Sequence, residues 1–184
     1  MILRCVFLLV AVSVLSACGG SPDVDMAVKE VVAAVNEDNP AALKKFKIDK
    51  AAAEKYFDAL VDSDEALRQL KDRLDFEEIW EDDWGNEEYG WDQRMDVNWP
   101  SIKARLNEGM SFDLANLEYE VVKDDDNPWQ MVVVVETGNA KWPYLMFKLL
   151  EFNGAYHMHT PYDIGFDSDK EDAIAFSFEN PLLN

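Results

Sequence analysis

Positive charge is in short supply in this chain: 17 Lys and Arg stand against 37 Asp and Glu in 184 residues, a formal net charge of −20. That balance argues against nucleic acid as a partner, because binding phosphates needs a basic surface that gains from counterion release. It argues equally against adhesion to anionic lipid headgroups. Histidine is scarcer still, with only His157 and His159. No Ser-His-Asp motif, cysteine nucleophile or phosphate-cradling glycine loop occurs. Carboxylates are so abundant that any pair proposed as acid and base would be chance, and no motif implies a cofactor. Long apolar runs are also missing. The run "CVFLLVAVSVL", Cys5 to Leu15, falls short of the roughly 20 residues that cross a hydrocarbon core. Preceded by Arg4 and followed by small residues, it reads as an N-terminal targeting segment.

Cysteine is the last scarcity, and the position of the second one is informative. Leu15-Ser16-Ala17-Cys18 resembles the lipobox of bacterial lipoprotein precursors: a branched apolar residue, two small residues, then cysteine. The resemblance implies that the Cys18 thiol receives a diacylglycerol, that the chain is cut before it, and that the new amino terminus is acylated. Two or three acyl chains make such anchoring durable where one holds only marginally. Cleavage would remove Cys5, so the mature chain would hold one cysteine and no intramolecular disulfide. Lipidation would also remove the liability of a lone thiol in an oxidising compartment. The next residue is Gly19. In enteric-type bacteria aspartate there is the common signal for retention at the inner membrane, so the expected destination is the outer membrane, facing the periplasm.

Loss of residues 1–17 takes away Arg4 and no acid, leaving 16 basic and 37 acidic residues and a net charge of −21. If charge selects partners, they are cationic. Alternatively, acidity keeps a tethered protein soluble and off the membrane surface. Disorder is not expected, because 48% hydrophobic residues with six tryptophans can build a core. The expected organisation is a signal peptide at 1–17, a lipidated cysteine and short tether at 18–23, and a single α+β domain at 24–184.

Within that domain, Ser21 and Pro22 form a cap-plus-proline signal, and Val24, Val28, Val31 and Val35 then share one helical face. Asn39-Pro40 repeats the signal for a short helix through about Phe46, and Asp49 caps a third helix containing Tyr56, Phe57 and Leu60. Ser63 is expected to open a fourth, with Leu67, Leu70 and Leu74 as its buried stripe. From Glu77 to Trp99 the acidic, aromatic sequence broken by Gly85 and Gly90 reads as a long loop with a short helical turn. A helix from Pro100 to Glu108 stops at Gly109. Four strands follow: Leu117 to Lys123, Trp129 to Glu136, Tyr144 to Phe152 and Ala155 to Thr160. Asn153-Gly154 closes a tight hairpin between the last two, since both positions tolerate positive φ. The expected fold is therefore α+β, N-terminal helices packed on a curved antiparallel β-meander. This order of elements over residues 24 to 162, with "FNGAYHM" near its end, resembles the nuclear transport factor two-like (cystatin-like) group. That group implies a cone-like shape. Tyr156 stands where the group more usually has tryptophan.

Three places invite chemistry. His157 and His159 project to one face of a strand and, with Asp163 or Asp167, would offer zinc or copper ligands. The alternative is two ordinary strand residues, and no metal is assigned, since catalytic zinc wants three protein ligands with defined support. "DSDKED", Asp167 to Asp172, starts like a calcium loop, but Asp172 and Phe178 stand where the loop needs glycine and glutamate. Trp80, Trp84, Tyr89, Trp91 and Trp99 interleave with acids, a composition that clasps a sugar or cation or else packs against the sheet. These readings favour a non-enzymatic, lipid-anchored periplasmic binding or accessory protein that uses the sheet concavity or the acidic-aromatic loop. Two alternatives stay open: an inhibitor or immunity-type protein against a cationic toxin or hydrolase, and a small enzyme using the cone pocket. The possible partners are a cationic protein or a small ligand.

Overall fold

The computed structural model of the chain describes residues 23–81, 90–125, 127–171 and 174. Helix α1 (Val24–Asn36) starts later than Ser21 would set it, because Asp23 is its cap and accepts a hydrogen bond from the Asp25 amide at 3.0 Å. Its valine face is as expected: Val28, Val31 and Val35 are wholly buried, with Val32 beside them. Burial of each such side chain contributes about 1.5–3 kcal/mol, so this face and not helix propensity holds α1 in place. A 3-10 helix (Pro40–Phe46) follows, then α2 (Lys50–Ser63), capped by Asp49 through the Ala52 amide at 2.8 Å.

Two sequence expectations about helices are corrected. Ser63 closes α2, its hydroxyl donating to the Leu60 carbonyl, and Asp64 caps α3 (Glu65–Leu70) by accepting from the Leu67 amide. Leu67 is buried, but α3 ends at Leu70, which is exposed, so no three-leucine stripe forms. After a 3-10 turn (Lys71–Arg73) and the single-turn α4 (Phe76–Ile79), the segment read as a loop contains a long helix. Helix α5 (Trp91–Leu106) continues through Pro100 and ends at Leu106 with Asn107 as its cap, earlier than the expected stop; Gly109, with φ +90°, lies in the turn that follows. Its stripe is Trp91, Met95, Trp99 and Ile102, all buried, with Leu106 half-buried. The 4-4-3-4 spacing of these five is a helical signal that the intervening acids and the proline disguise.

The sheet is antiparallel and five-stranded: β1 (Tyr119–Lys123), β2 (Gln130–Glu136), β3 (Tyr144–Phe152), β4 (Ala155–His157) and β5 (Ile164–Asp167), in the order β1-β2-β3-β4 with β5 also on β3, and it is not closed into a barrel. The domain is thus α+β, helices first. Asn153 and Gly154 both have positive φ at the β3–β4 turn. The last expected strand ends at His157 and not Thr160, and β5 was not foreseen. One edge of β3 is shared by both short strands: β4 pairs with Leu150–Phe152 and β5 with Tyr144–Phe147. Between them, residues 158–163 leave the ladder opposite Lys148 and Leu149.

Strand β2 explains its own composition. Every residue from Gln130 to Val135 is buried, because both sheet faces are covered, and a continuous "MVVVV" run is what such a strand requires. Met131, Val133 and Val135 join Leu145, Phe147 and Leu149 in the core beneath α1 and α5. On the opposite face Leu150 packs with Tyr56, Phe57 and Leu60 of α2, while Val132, Val134 and Met146 meet Ile174.

Candidate functional site

The start of α1 forms one wall of an open groove of about 350 Å³. Asp23, Met26, Ala27 and Glu30 supply that wall, falling on one helical face at 3-1-3 spacing. Lys45 and Phe46, at the end of the first 3-10 helix, form the second wall, and Tyr156 of β4 forms the third. A backbone bond holds these walls in register: the Met158 amide donates to the Phe46 carbonyl at 2.7 Å, beside a parallel bridge between Lys47 and Met158. Tyr156 lies two residues before buried Met158, so its ring turns toward the same core.

The groove has two unlike ends. At one, Lys45 Nζ lies 2.6 Å from a Glu30 carboxylate oxygen and 5.2 Å from the Phe46 ring centroid. At the other, Asp23 has no ion pair among the described residues, and its carboxylate oxygen accepts only its own helix's Asp25 amide. Burial, then the charges of Glu151 and Asp23, raise the Tyr156 hydroxyl above the usual phenol range. Nearby, the Tyr119 hydroxyl donates to Asp25 Oδ1 at 3.0 Å. It too is raised, first by burial and then by Asp25 and Asp23. Met26 is 57% exposed at the rim. Carboxylate, aromatic faces and a thioether suit the capture of a cation with an aliphatic stem.

The second cluster of charge is closed. Lys148 of β3 and Asp163, in the 3-10 turn Pro161–Asp163, sit 3.7 Å apart with side chains 19% and 8% exposed. Burial raises Asp163, against the lowering pull of Lys148, the Thr160 amide and Arg94. Burial first, then the charges of Lys148 and Arg94, push His159 down to about 3. A capping box ties the turn: Thr160 accepts from Tyr162 while Asp163 accepts from the Thr160 amide. Asn98 of α5 donates to the Ile164 carbonyl at 3.0 Å. This polar knot satisfies the backbone where residues 158–163 leave the sheet. A further buried contact joins Asn127 to the Tyr56 hydroxyl at 2.7 Å, and desolvation takes Tyr56 up to about 12.

The residues singled out from sequence are dispersed. Cys18, Trp84 and Tyr89 lie outside the described residues. Trp91 and Trp99 are buried in the core, which corrects the reading of an exposed aromatic loop at those two positions. Trp99 Nε1 donates to Asp38 at 2.8 Å, whereas Trp91 Nε1 has no hydrogen-bond partner among the described residues. Trp80 is half-buried, its ring 6.0 Å from Phe76. His157 is lowered by burial and bonds the Phe152 backbone. Asp163, the imagined third ligand, is committed to Lys148. Among the described residues no group of three or more His, Cys, Asp or Glu converges as a metal site would. Asp167 Oδ1 caps the Ser168 and Asp169 amides, so its carboxylate serves a turn. Sequence reasoning missed the groove because its members come from three separate segments.

No family model, curated protein or solved structure matches this chain. No helix among the described residues is long and apolar enough to cross a membrane.

Proposed function

We propose that this chain is a non-enzymatic, lipid-anchored binding or accessory protein of the bacterial envelope, held through Cys18 to the outer membrane and facing the periplasm, where it captures a cationic protein. The observation that carries the reading is the surfeit of acids, 37 against 17 basic residues, in a chain whose described residues fold as α+β. Among the described residues Asp163 is the acid withdrawn from water, while neither of the two buried polar residues, Asn127 and Gln130, is an acid. An acidic surface raises the encounter rate of a basic partner and disfavours other partners. The tether supports the same reading. Asp23 follows Cys18 by five chain steps, with four residues between them, a span of at most about 17 Å, so the domain patrols the bilayer surface while its charge keeps it off anionic headgroups. The same excess of acid favours, as a second reading, an inhibitor or immunity-type role against a basic toxin or hydrolase.

Capture of envelope proteins on the immobilised full chain, repeated across ionic strengths, tests the reading. Surface attraction is screened over roughly 8 Å at physiological salt and over about 3 Å at 1 M. Retained proteins are therefore expected to be basic and to elute as salt rises. Retention indifferent to salt would remove charge as the basis of selection.

A further inference from the structure

We propose that the groove between α1, the first 3-10 helix and β4 receives one lysine or arginine side chain of the basic partner, with Asp23 facing its charged head and Tyr156 its stem. This rests on the reading of a cationic protein partner and names where that partner is gripped. The molecule already contains the recognition chemistry in duplicate. At the Glu30 end, the chain's own Lys45 is seated against a carboxylate and beside the ring of Phe46. At the other end a carboxylate, Asp23, and an aromatic, Tyr156, line the same groove, with no ion pair to Asp23 among the described residues. Between the two ends Met26 and Ala27 give the α1 wall an apolar stretch, along which a long aliphatic stem can lie while its head stays in water.

Charge complementarity decides the occupant. The partial positive charge of the α1 amino terminus is opposed by Asp23 and Asp25 together, and the groove continues a surface of overall charge −20. An anionic ligand would meet Asp23 and Glu30 both. A basic side chain meets a carboxylate and a ring face, an arrangement that favours cations.

The test uses the full chain in detergent micelles, labelled with 13C at the methionine methyls. Met26 is exposed, whereas Met95, Met110, Met131, Met146 and Met158 are buried, so the buried methyls act as internal controls. The probe is a terminally blocked Gly-Lys-Gly peptide beside its Nε-acetylated counterpart. We expect a saturable shift of Met26 alone with the lysine peptide and none with the acetylated one. Asp23→Asn, which keeps a good helix cap, and Tyr156→Leu should each weaken the response about two- to fivefold. An unmoved Met26, or equal responses to both peptides, overturns the proposal. So does a Met26 shift with vesicles of phosphatidylethanolamine but not with the peptide, since a headgroup would then be the occupant. The outcomes separate the two readings. If wild type and Asp23→Asn capture a basic protein with equal strength and equal salt dependence, the groove assignment falls while the functional reading stands. If Met26 responds as expected but no basic protein is captured, the functional reading falls.

Discussion

The knot of Lys148, Asp163 and His159 and the groove of Asp23, Glu30 and Lys45 are built from similar residues but held in opposite states. In the knot, water is removed: the Lys148 and Asp163 side chains are 19% and 8% exposed, and both Asp163 and His159 are shifted toward their uncharged forms by burial. In the groove the Lys45–Glu30 pair is 49% and 42% exposed. The knot is wedged where residues 158–163 interrupt the strand partnering β3, so its polar groups replace ladder bonds that are absent there. The groove lies along the β4 edge, between Tyr156 and α1, and its charges answer to solvent and to visitors. Taking charges out of water makes them costly to leave unpaired, whereas leaving them in water makes them cheap to rearrange. The first state suits architecture and the second suits binding.

That contrast can be broken most forcefully on the closed side. Trp99→Ala removes a buried ring and its bond to Asp38, and we expect a loss of about 3–5 kcal/mol in urea unfolding. A loss below about 1 kcal/mol would place Trp99 outside the core that α5 shares with α1. Lys148→Ala strands Asp163 in a dry site, and a loss of about 3 kcal/mol is expected. If equilibrium unfolding of this variant matches wild type, the knot is not structural.

The pH dependence sharpens the comparison further. His159 has a folded pKa of about 3, below its unfolded value of about 6.5, so its contribution is complete above pH 6.5 and is lost as pH falls toward 3. His157 is lowered too and acts in the same direction. Asp163 is raised and acts in the opposite direction, gaining relative stability on protonation. As pH falls from about 6.5 toward 3, His159 lowers stability with a limiting slope of about 1.4 kcal/mol per pH unit, reinforced by His157 and opposed by Asp163. Unfolding free energies of His159→Gln measured across that window should show a shallower slope than wild type. An identical slope would detach His159 from the acid response.

The open side should respond least. Lys45→Ala deletes an exposed ion pair, and a change of no more than about 0.5 kcal/mol is expected from the same unfolding measurement. A loss comparable with that of Lys148→Ala would erase the distinction between the two regions.

The parts of the fold that sequence reveals are those governed by short-range rules. Val28, Val31 and Val35 share a face because of helical geometry, and Asn153-Gly154 turns the chain because both residues accept positive φ. Strands β1 to β3 stand out by their branched and aromatic runs. Helix α5 escaped because Asp92, Gln93, Arg94, Asp96 and Asn98 fill the positions between its aromatics, and because Pro100 normally opens a helix or breaks one. Here tertiary burial of Trp91 and Trp99 outweighs the missing proline hydrogen bond. Strand β5 escaped by being short and containing Gly165. The knot and the groove depend on pairing between segments distant in sequence, such as Phe46 with Met158 and Lys148 with Asp163. No local pattern encodes that pairing.

Both regions acquire their biological meaning from the expectation that Asp23 stands five residues from a lipidated sulfur. The most direct check is membrane fractionation, with intact mass, of the wild-type chain and of Cys18→Ser expressed in a Gram-negative host. The account predicts that wild type partitions with membranes at a mass that includes the acyl groups, and that the serine variant loses both the added mass and the partition. Equal fractionation and unmodified mass for the two proteins would contradict it.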